Sequence, residues 1–436
     1  MGYAVADDPA KMPSMRRIPP LVILAAIVAL CFLLRPDGPA ISSSPLSSDA
    51  YVWQRVHTAA VIEAISSHGP DFGSVVVLAA QVDWPGSTPS VNLVDIDYAS
   101  LAALSARGTR IGVAIRISEF SGAFSGPSSA TVASLAKHLV EQTAVHFPAS
   151  ELQLDFDCPT RRLADYRLWI KAVREHIACP VTITVLPTWL NTSAFGELAR
   201  STDGFVLQVH SMERPRGVNQ PATLCDIAKA RSAIAAAGRL NMPFRVAMPT
   251  YGYIAAFDSS DRFVGLSAEG PAPDWASTVH TREIRADASE IAQLVRELRT
   301  SHPATLTGLI YYRMPVATDR LNWTYPTLAA VMRGEIPCPN LKILLRHPET
   351  GLIDIIVQNS GNADAAGPVA VGLTRTSGQV LASDGGNGFD VVHPTDKQWV
   401  WQGSQGFRLP PGDEMAIGWV RTSPDTQFDT VVRKEP

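Results

Sequence analysis

What the chain has little of narrows its class first. Charged residues make up 18% of its 436 positions, the formal net charge is -4, and no basic block stands beyond the N-terminal stretch. A nucleic-acid surface needs a basic stripe, so nucleic acid is not an expected partner. Cysteine is scarce, at Cys31, Cys158, Cys179, Cys225 and Cys338, and no pair of them has a spacing that suggests zinc. His210 has no second histidine at ligand spacing, and neither a metal nor any other cofactor is expected. No glycine-rich phosphate fingerprint follows any strand candidate, which weakens nucleotide binding.

One long apolar run is present. Residues 21–34 are unbroken by charge, with Lys11, Arg16 and Arg17 before them and Pro19 and Pro20 at the junction. A basic flank followed by an apolar run reads as a secretory signal or an uncleaved anchor, with a buried helix of the body as the alternative. The run falls short of the roughly 20 residues of a typical span. No small-x-small cleavage site follows it closely, which favours a signal-anchor. The expectation is a cytoplasmic N-terminus over 1–17, an anchor in the inner membrane over 18–34 and a Pro/Ser/Gly-rich linker over 35–48. The body is then extracytoplasmic, in the periplasm.

The hydrophobic share, 46%, is that of a globular protein, and thirty-three prolines with thirty glycines imply many loops. From residue 50 the pattern alternates strand and helix. Strands are predicted at 50–53, 74–80, 110–117, 152–156, 181–186, 204–210, 244–248 and 307–312. Helices are predicted at 58–66, 98–106, 131–145, 163–177, 224–236, 287–298 and 325–333, with a long excursion before 287. Eight units over 49–336 match a (β/α)8 TIM barrel of about 250 residues with insertions. A doubly wound open sheet is the alternative. Beyond 340 no helix period is visible. Short strands at 341–346, 353–358, 369–374, 399–403 and 415–422, separated by turn clusters, read as a C-terminal all-β sandwich over 340–436. Trp399 and Trp401 share a strand face there, as core packing or as a sugar-stacking platform. Cys158 ends one strand and Cys179 precedes the next, so a barrel sets them about a strand length apart, beyond disulfide reach. Cys158 with Cys225 is geometrically open, but unpaired packing cysteines are expected.

The stretch Glu151-Leu152-Gln153-Leu154-Asp155-Phe156-Asp157-Cys158-Pro159 is central. Its apolar residues alternate with Gln153, Asp155 and Asp157, which therefore share one face, and Pro159 ends the strand. A barrel places its chemistry at such strand ends. Asp155 and Asp157 are the leading catalytic candidates: neighbouring like charges push one pKa upward, leaving one acid and one ionised group. The alternative is that one of them is salt-bridged to Arg116 or Arg313 and holds the mouth together. Glu119, Glu213 and His210 are further candidates, His210 as base, metal ligand or satisfied structural histidine. The other strand ends bring Trp53, Gln54, Asp83, Trp84, Arg116, Trp189, Gln208, Tyr251, Tyr312 and Arg313 to the rim as substrate-binding candidates. Carboxylates interleaved with aromatics are what a sugar site needs, since rings stack on pyranose faces and acids handle hydroxyls and the glycosidic oxygen.

The string 152–159, with Val206-Leu207-Gln208-Val209-His210-Ser211, Gly308-Leu309-Ile310-Tyr311-Tyr312-Arg313 and Asp319-Arg320-Leu321-Asn322-Trp323, resembles an uncharacterised bacterial (β/α) barrel family, domain of unknown function 3142. That resemblance covers most of the barrel and implies a fold more than an activity. More loosely, Asp155-Phe156-Asp157 is similar to the fourth-strand Asp-x-Asp-x-Glu motif of chitinase-like glycoside hydrolases. That family uses the terminal Glu as acid and the Asp before it to orient the acetamido group. Asp157 matches the last Asp, and Pro159 stands where the Glu would be. The resemblance therefore implies two options. Either Glu119, Asp155 or Glu213 supplies the proton to a polysaccharide substrate, or the barrel binds glycans without cutting. Apart from the resemblance, the competing reading is a non-catalytic envelope protein whose barrel holds polysaccharide or a protein partner.

Overall fold

The computed structural model describes residues 39–434, apart from 87, 212–213, 271–272, 368, 393–394 and 405–406. The expected N-terminal tail and anchor, 1–34, lie outside the described residues, as does Glu213. Among the described residues no helix is long and apolar enough to cross a membrane.

Eight strands form a closed parallel barrel: β1 Ser47–Val52, β2 Ser74–Asp83, β3 Arg110–Ile117, β4 Leu152–Phe156, β5 Val181–Val185, β6 Gly204–Gln208, β7 Phe244–Pro249 and β8 Leu306–Tyr312. Closure comes from β1, which pairs in parallel with β8 on one side and β2 on the other. The helices are α1 Ala59–His68, α2 Tyr98–Ala106, α3 Pro127–Ala144, α4 Leu163–Arg174, α5 Ser193–Arg200, α6 Ile227–Gly238, α7 Ala288–Thr300 and α8 Tyr325–Met332. Side-chain caps set the start of several. Asp97, Thr192, Asp226 and Asp287 each accept from a backbone N–H in the first turn of α2, α5, α6 and α7. The linker expected over 35–48 is partly structured, since Ile41–Ser42 pairs with His302–Pro303 and β1 already begins at Ser47.

Alternation decides what faces where. Leu152, Leu154 and Phe156 of β4 are buried outward among the helices, in one cluster with Trp169, Ile183 and Leu207. The opposite faces fill the lumen with Tyr51, Val76, Ala114, Val206, Ala247 and Ile310. Below that layer, at the N-terminal pole, Arg245 reaches Asp49 at 3.1 Å and Glu151 at 2.6 Å. Thr182 Oγ1 donates to Glu151 at 2.6 Å and Ser47 Oγ to Asp49 at 2.6 Å. Glycine at 112 makes the room: a Cβ there would stand 2.7 Å from Glu151 Cγ. A cavity of about 240 Å³ opens at this pole, lined by these same groups. They are already paired with one another, and this end of a barrel ordinarily serves stability.

Three additions decorate the barrel. Ser90–Leu93 pairs antiparallel with the end of β2. The excursion between β7 and α7 is a three-stranded antiparallel sheet of Gly252–Phe257, Phe263–Ser267 and His280–Arg285. The C-terminal part is all-β. Leu341–Glu349, Leu352–Asn359, Glu414–Thr422 and Val380–Gly385 make one sheet, and Phe389–Val392, Gln398–Gly403, Val369–Ser377 and Gln427–Lys434 another. Both sheets contribute to one cluster that includes Ile355, Val371, Trp401 and Ile417. Trp399 and Trp401 are 8% and 0% exposed, so they pack in this core and offer no stacking platform. The cysteines at 158, 179, 225 and 338 are free, including the pair left open above.

The Asp49–Arg245–Glu151 network carries a stability prediction. Arg245→Met leaves two buried carboxylates without their cation and lowers unfolding free energy by about 3–5 kcal/mol. Urea denaturation of the variant checks it; a loss under about 1 kcal/mol, the range of an exposed ion pair, contradicts it.

Candidate functional site

At the C-terminal mouth the β3/β4 register sets Arg116 directly beside Asp155. Arg116 forks across both aspartates: Nη1 to Asp155 Oδ2 is 2.9 Å and Nη2 to Asp157 Oδ2 is 2.8 Å. Thr184 of β5 donates to the other oxygen of Asp155 at 2.8 Å. The two carboxylates thus share one guanidinium but not one environment, since their side chains are 10% and 46% exposed. Burial pushes the Asp155 carboxyl above the ordinary range against the pull of Arg116, and the neighbouring Asp157 pushes the same way. Each of the two leading candidates is therefore part of a clamp.

Opposite electrostatic character lies beside it. His210 stacks on Tyr312 with ring centroids 5.5 Å apart, and its Nδ1 lies 3.1 Å from the Tyr251 hydroxyl. Tyr312 also makes edge contacts with Trp53 at 5.6 Å and Tyr251 at 5.5 Å, and Tyr251 with Tyr253 at 5.2 Å. These rings form a continuous wall. Tyr312 feels the charges of Asp155 and Arg116, and His210 that of Asp157, which puts wall and clamp side by side. Loss of hydration lowers the His210 pKa to about 4, with Asp157 opposing, so the ring is neutral near pH 7. Trp53, His210, Tyr253, Tyr312, Arg116 and Gln208 are all only half-buried. Gln208 has its Nε2 buried with no protein acceptor, and both amide atoms of Gln54 are likewise unpartnered. A bound polar ligand would satisfy such groups.

Other expected residues are placed differently. Trp189 is 1% exposed and packs on Phe195 beneath α5, so it has no face for a ligand. Trp84 stacks on Trp169 at 5.6 Å and leans on Phe120, so it is half-buried with one side against the aromatic cluster behind β4. Arg313 turns to Asp319 at 2.5 Å, and that buried pair shapes the loop after β8. Asp83 accepts from Ser118 Oγ and, at 3.5 Å, from Asn92 Nδ2, as a strut between β2 and the β3 loop. Glu119 is exposed on that loop, which Arg162 pins through Phe120 O at 3.5 Å and Gly122 O at 2.5 Å. Pro159 precedes the short 3-10 turn Thr160–Arg162, and no carboxylate replaces the missing one there. Thr184 and Tyr51 were missed by the sequence reading; both were signalled only by falling on the inward face of their strands. Among the described residues no group of three or more His, Cys, Asp or Glu gathers as a metal site.

Residues 113–317 match the model of a family described as Domain of unknown function (DUF3142), and residues 343–423 that of another, Domain of unknown function (DUF8456). No curated protein matches the chain. Among solved structures, a chitinase from Chromobacterium violaceum ATCC 12472 is similar at 13% identity and TM-score 0.48, covering 66% of this chain and 98% of its own. The spore cortex-lytic enzyme SleL of Bacillus cereus is similar at 14% identity and TM-score 0.47, over 67% of this chain and 74% of its own. A chitinase from Bacteroides thetaiotaomicron is similar at 13% identity and TM-score 0.45, over 62% and 90%. What the mouth does has to follow from its own residues.

The neutral His210 has a signature in stability. Its folded-state pKa, about 4, lies below its ordinary 6.5. As pH falls below about 6.5 the unfolded chain takes up this proton and the folded chain does not, so stability declines down to about pH 4 and then no further from this group. Urea denaturation across pH 4–7 should show a shallower decline for His210→Gln than for the parent chain. Parallel curves would mean that His210 is not held neutral.

Proposed function

We propose that the barrel mouth binds a carbohydrate chain, as a glycoside-hydrolase-like scaffold whose surest activity is recognition. The observation that carries this reading is the aromatic wall of Trp53, Tyr312 and Tyr253 set beside the Arg116–Asp155–Asp157 clamp. Sugar rings present apolar faces edged by hydroxyls, and this mouth offers rings on one side and fixed charged hydrogen-bonding groups on the other. Trp53 and Tyr312, both half-buried, supply the stacking faces. Asp157 accepts from hydroxyls with its free oxygen, Gln208 Nε2 donates, and Arg116 keeps the carboxylates in place.

Hydrolysis is the second reading: burial pushes the Asp155 carboxyl above the ordinary range, the direction a general acid needs. Against it stands the clamp, which commits Asp155 to Arg116 and Thr184 and leaves Asp157 or Glu119 to meet a glycosidic oxygen. The basic flank and apolar run at the N-terminus support an extracytoplasmic, membrane-tethered chain. The two sheets over one shared cluster support reading the C-terminal part as a β-sandwich.

The test is a panel of bacterial envelope glycans assayed for binding and for release of reducing ends, using the chain from residue 39 onward. At least one glycan should bind, and Trp53→Ala and Tyr312→Ala should each weaken it by about tenfold, or about 1.4 kcal/mol. Release of reducing ends that Asp155→Asn and Asp157→Asn abolish, with melting unchanged, would move the protein to the hydrolase reading. No binding to any member would sink both.

A further inference from the structure

The loop 313–324 between β8 and α8 is gripped from two directions by parts of the chain that lie outside the barrel. On one side is Arg408, in the short strand Arg408–Leu409 of the C-terminal β unit. Its Nη1 donates to the carbonyls of Asp319 and Arg320, both at 3.2 Å, and its Nη2 to the carbonyl of Asn322 at 2.7 Å. The same Nη2 meets Asp364 Oδ2 at 3.0 Å. Asp364 accepts in turn from the Thr324 N–H at 3.0 Å and the Thr324 hydroxyl at 2.7 Å. On the other side is Glu269, from the excursion between β7 and α7. Its carboxylate accepts from the N–H groups of Arg320 at 3.0 Å, Leu321, and Asn322 at 2.9 Å. One guanidinium holds the carbonyls of this loop and one carboxylate holds its amides.

What is gripped leads to the mouth. Inside the loop Asp319 pairs with Arg313 and accepts from Asn322 Nδ2 at 3.0 Å. Asn322 Nδ2 and Thr250 Oγ1 converge on the carbonyl of Arg313, at 3.2 and 2.7 Å. The Thr250 N–H donates to Tyr312 O at 2.9 Å, and its carbonyl accepts from the Trp323 N–H at 2.9 Å. Thr250 precedes Tyr251 and Arg313 follows Tyr312, so the grip ends on the backbone of two wall residues. The pairs that make it are shielded from water: the side chains of Arg408 and Asp364 are 18% and 12% exposed. Shielded, charge-assisted bonds from one group to four acceptors fix a geometry in a way that a single exposed pair does not.

We infer that the C-terminal β unit acts as a brace for the barrel mouth, with Arg408 and Asp364 as positioning residues that hold loop 313–324 so that Tyr312 and Tyr251 keep their places in the aromatic wall. The burial of Trp399 and Trp401 fits this role, because the sequence pair that best suited a separate sugar-binding module is spent on the core of the unit. The brace needs no assumption about what the mouth binds.

Hydrogen exchange of the full chain, read by mass spectrometry, tests it without any ligand. Arg408→Gln should speed exchange across 319–324 by about tenfold or more, with a smaller rise over 249–253 at the wall. Arg408→Lys, which keeps the charge but cannot span four acceptors, should restore part of the protection. Strands β4 to β6 should exchange as before. Arg346→Gln, which breaks an exposed pair with Glu414 in the same β unit, should leave the loop unchanged. Unaltered protection over 319–324 in a folded Arg408→Gln chain would overturn the inference, as would acceleration spread evenly over the whole protein. If Arg408→Gln fails to fold, Asp364→Asn and Arg408→Lys carry the same comparison.

Discussion

A closed barrel of parallel strands has a narrow interior in which an ionised group has to bring its partner with it. This chain meets that constraint twice in one manner, with an arginine forked between two carboxylates. At the N-terminal pole Arg245 joins Asp49 and Glu151, and at the mouth Arg116 joins Asp155 and Asp157. Strand β4 and its lead-in supply an acid to each, since Glu151 and Asp155 lie four residues apart on a strand where every second side chain points inward. Tyr51 sits between the two layers and feels Arg245, Asp155 and Glu151 together. The lumen is therefore a charged cap, a middle of apolar and aromatic side chains with Gln153 among them, and a second charged layer open to solvent.

The two clamps differ in access. Asp49 and Glu151 are buried and each is completed by a hydroxyl, from Ser47 and Thr182, in addition to Arg245. Asp157 is nearly half exposed, and the aromatic wall stands next to it. That asymmetry favours the mouth as the place of the proposed recognition. It also limits catalysis: a carboxyl that orients others is well served by a fixed cation, while one that must give up a proton to a leaving group is hindered by it.

Much of the barrel was legible because its strands obey simple alternation. Leu152, Leu154 and Phe156 against Gln153, Asp155 and Asp157 is a period of two, and the structure turns the first three into the helix layer and Gln153 and Asp155 into the lumen, with Asp157 at the open mouth. Helix α5 escaped because eight residues with Phe195, Leu198 and Ala199 as the buried set are too short for a clear helical period. In the excursion, His280–Arg285 is mostly charged and polar, so its strand character comes from pairing with Gly252–Phe257 and not from its own pattern. Val380–Gly385 is largely exposed and carries no apolar alternation either. In the site, residue type was legible but partnership was not. Trp189 and Trp84 follow strands and look like rim aromatics, yet a 3-10 turn at Pro187–Trp189 takes Trp189 into the core, and Trp84, half-buried, lies against the Phe120–Trp169 cluster. That Arg116 would take both aspartates depends on the β3/β4 register, which a sequence does not print.

The loops show how a mouth made of irregular backbone keeps its shape. Arg162 fastens the β3 loop to the β4 loop by two carbonyls, with its guanidinium 4.5 Å from the Phe124 ring centre. Glu269 takes three amides of the β8 loop, and Arg408 three of its carbonyls. In each case a charged side chain from a neighbouring segment satisfies backbone groups that a turn leaves unpaired. Such bonds order a loop without adding apolar bulk, so the aromatic surface above stays open for a ligand. A mouth assembled this way has a tied frame and an accessible face, and the proposed binding of a glycan draws on that combination, because a frame ordered beforehand costs less to order on binding.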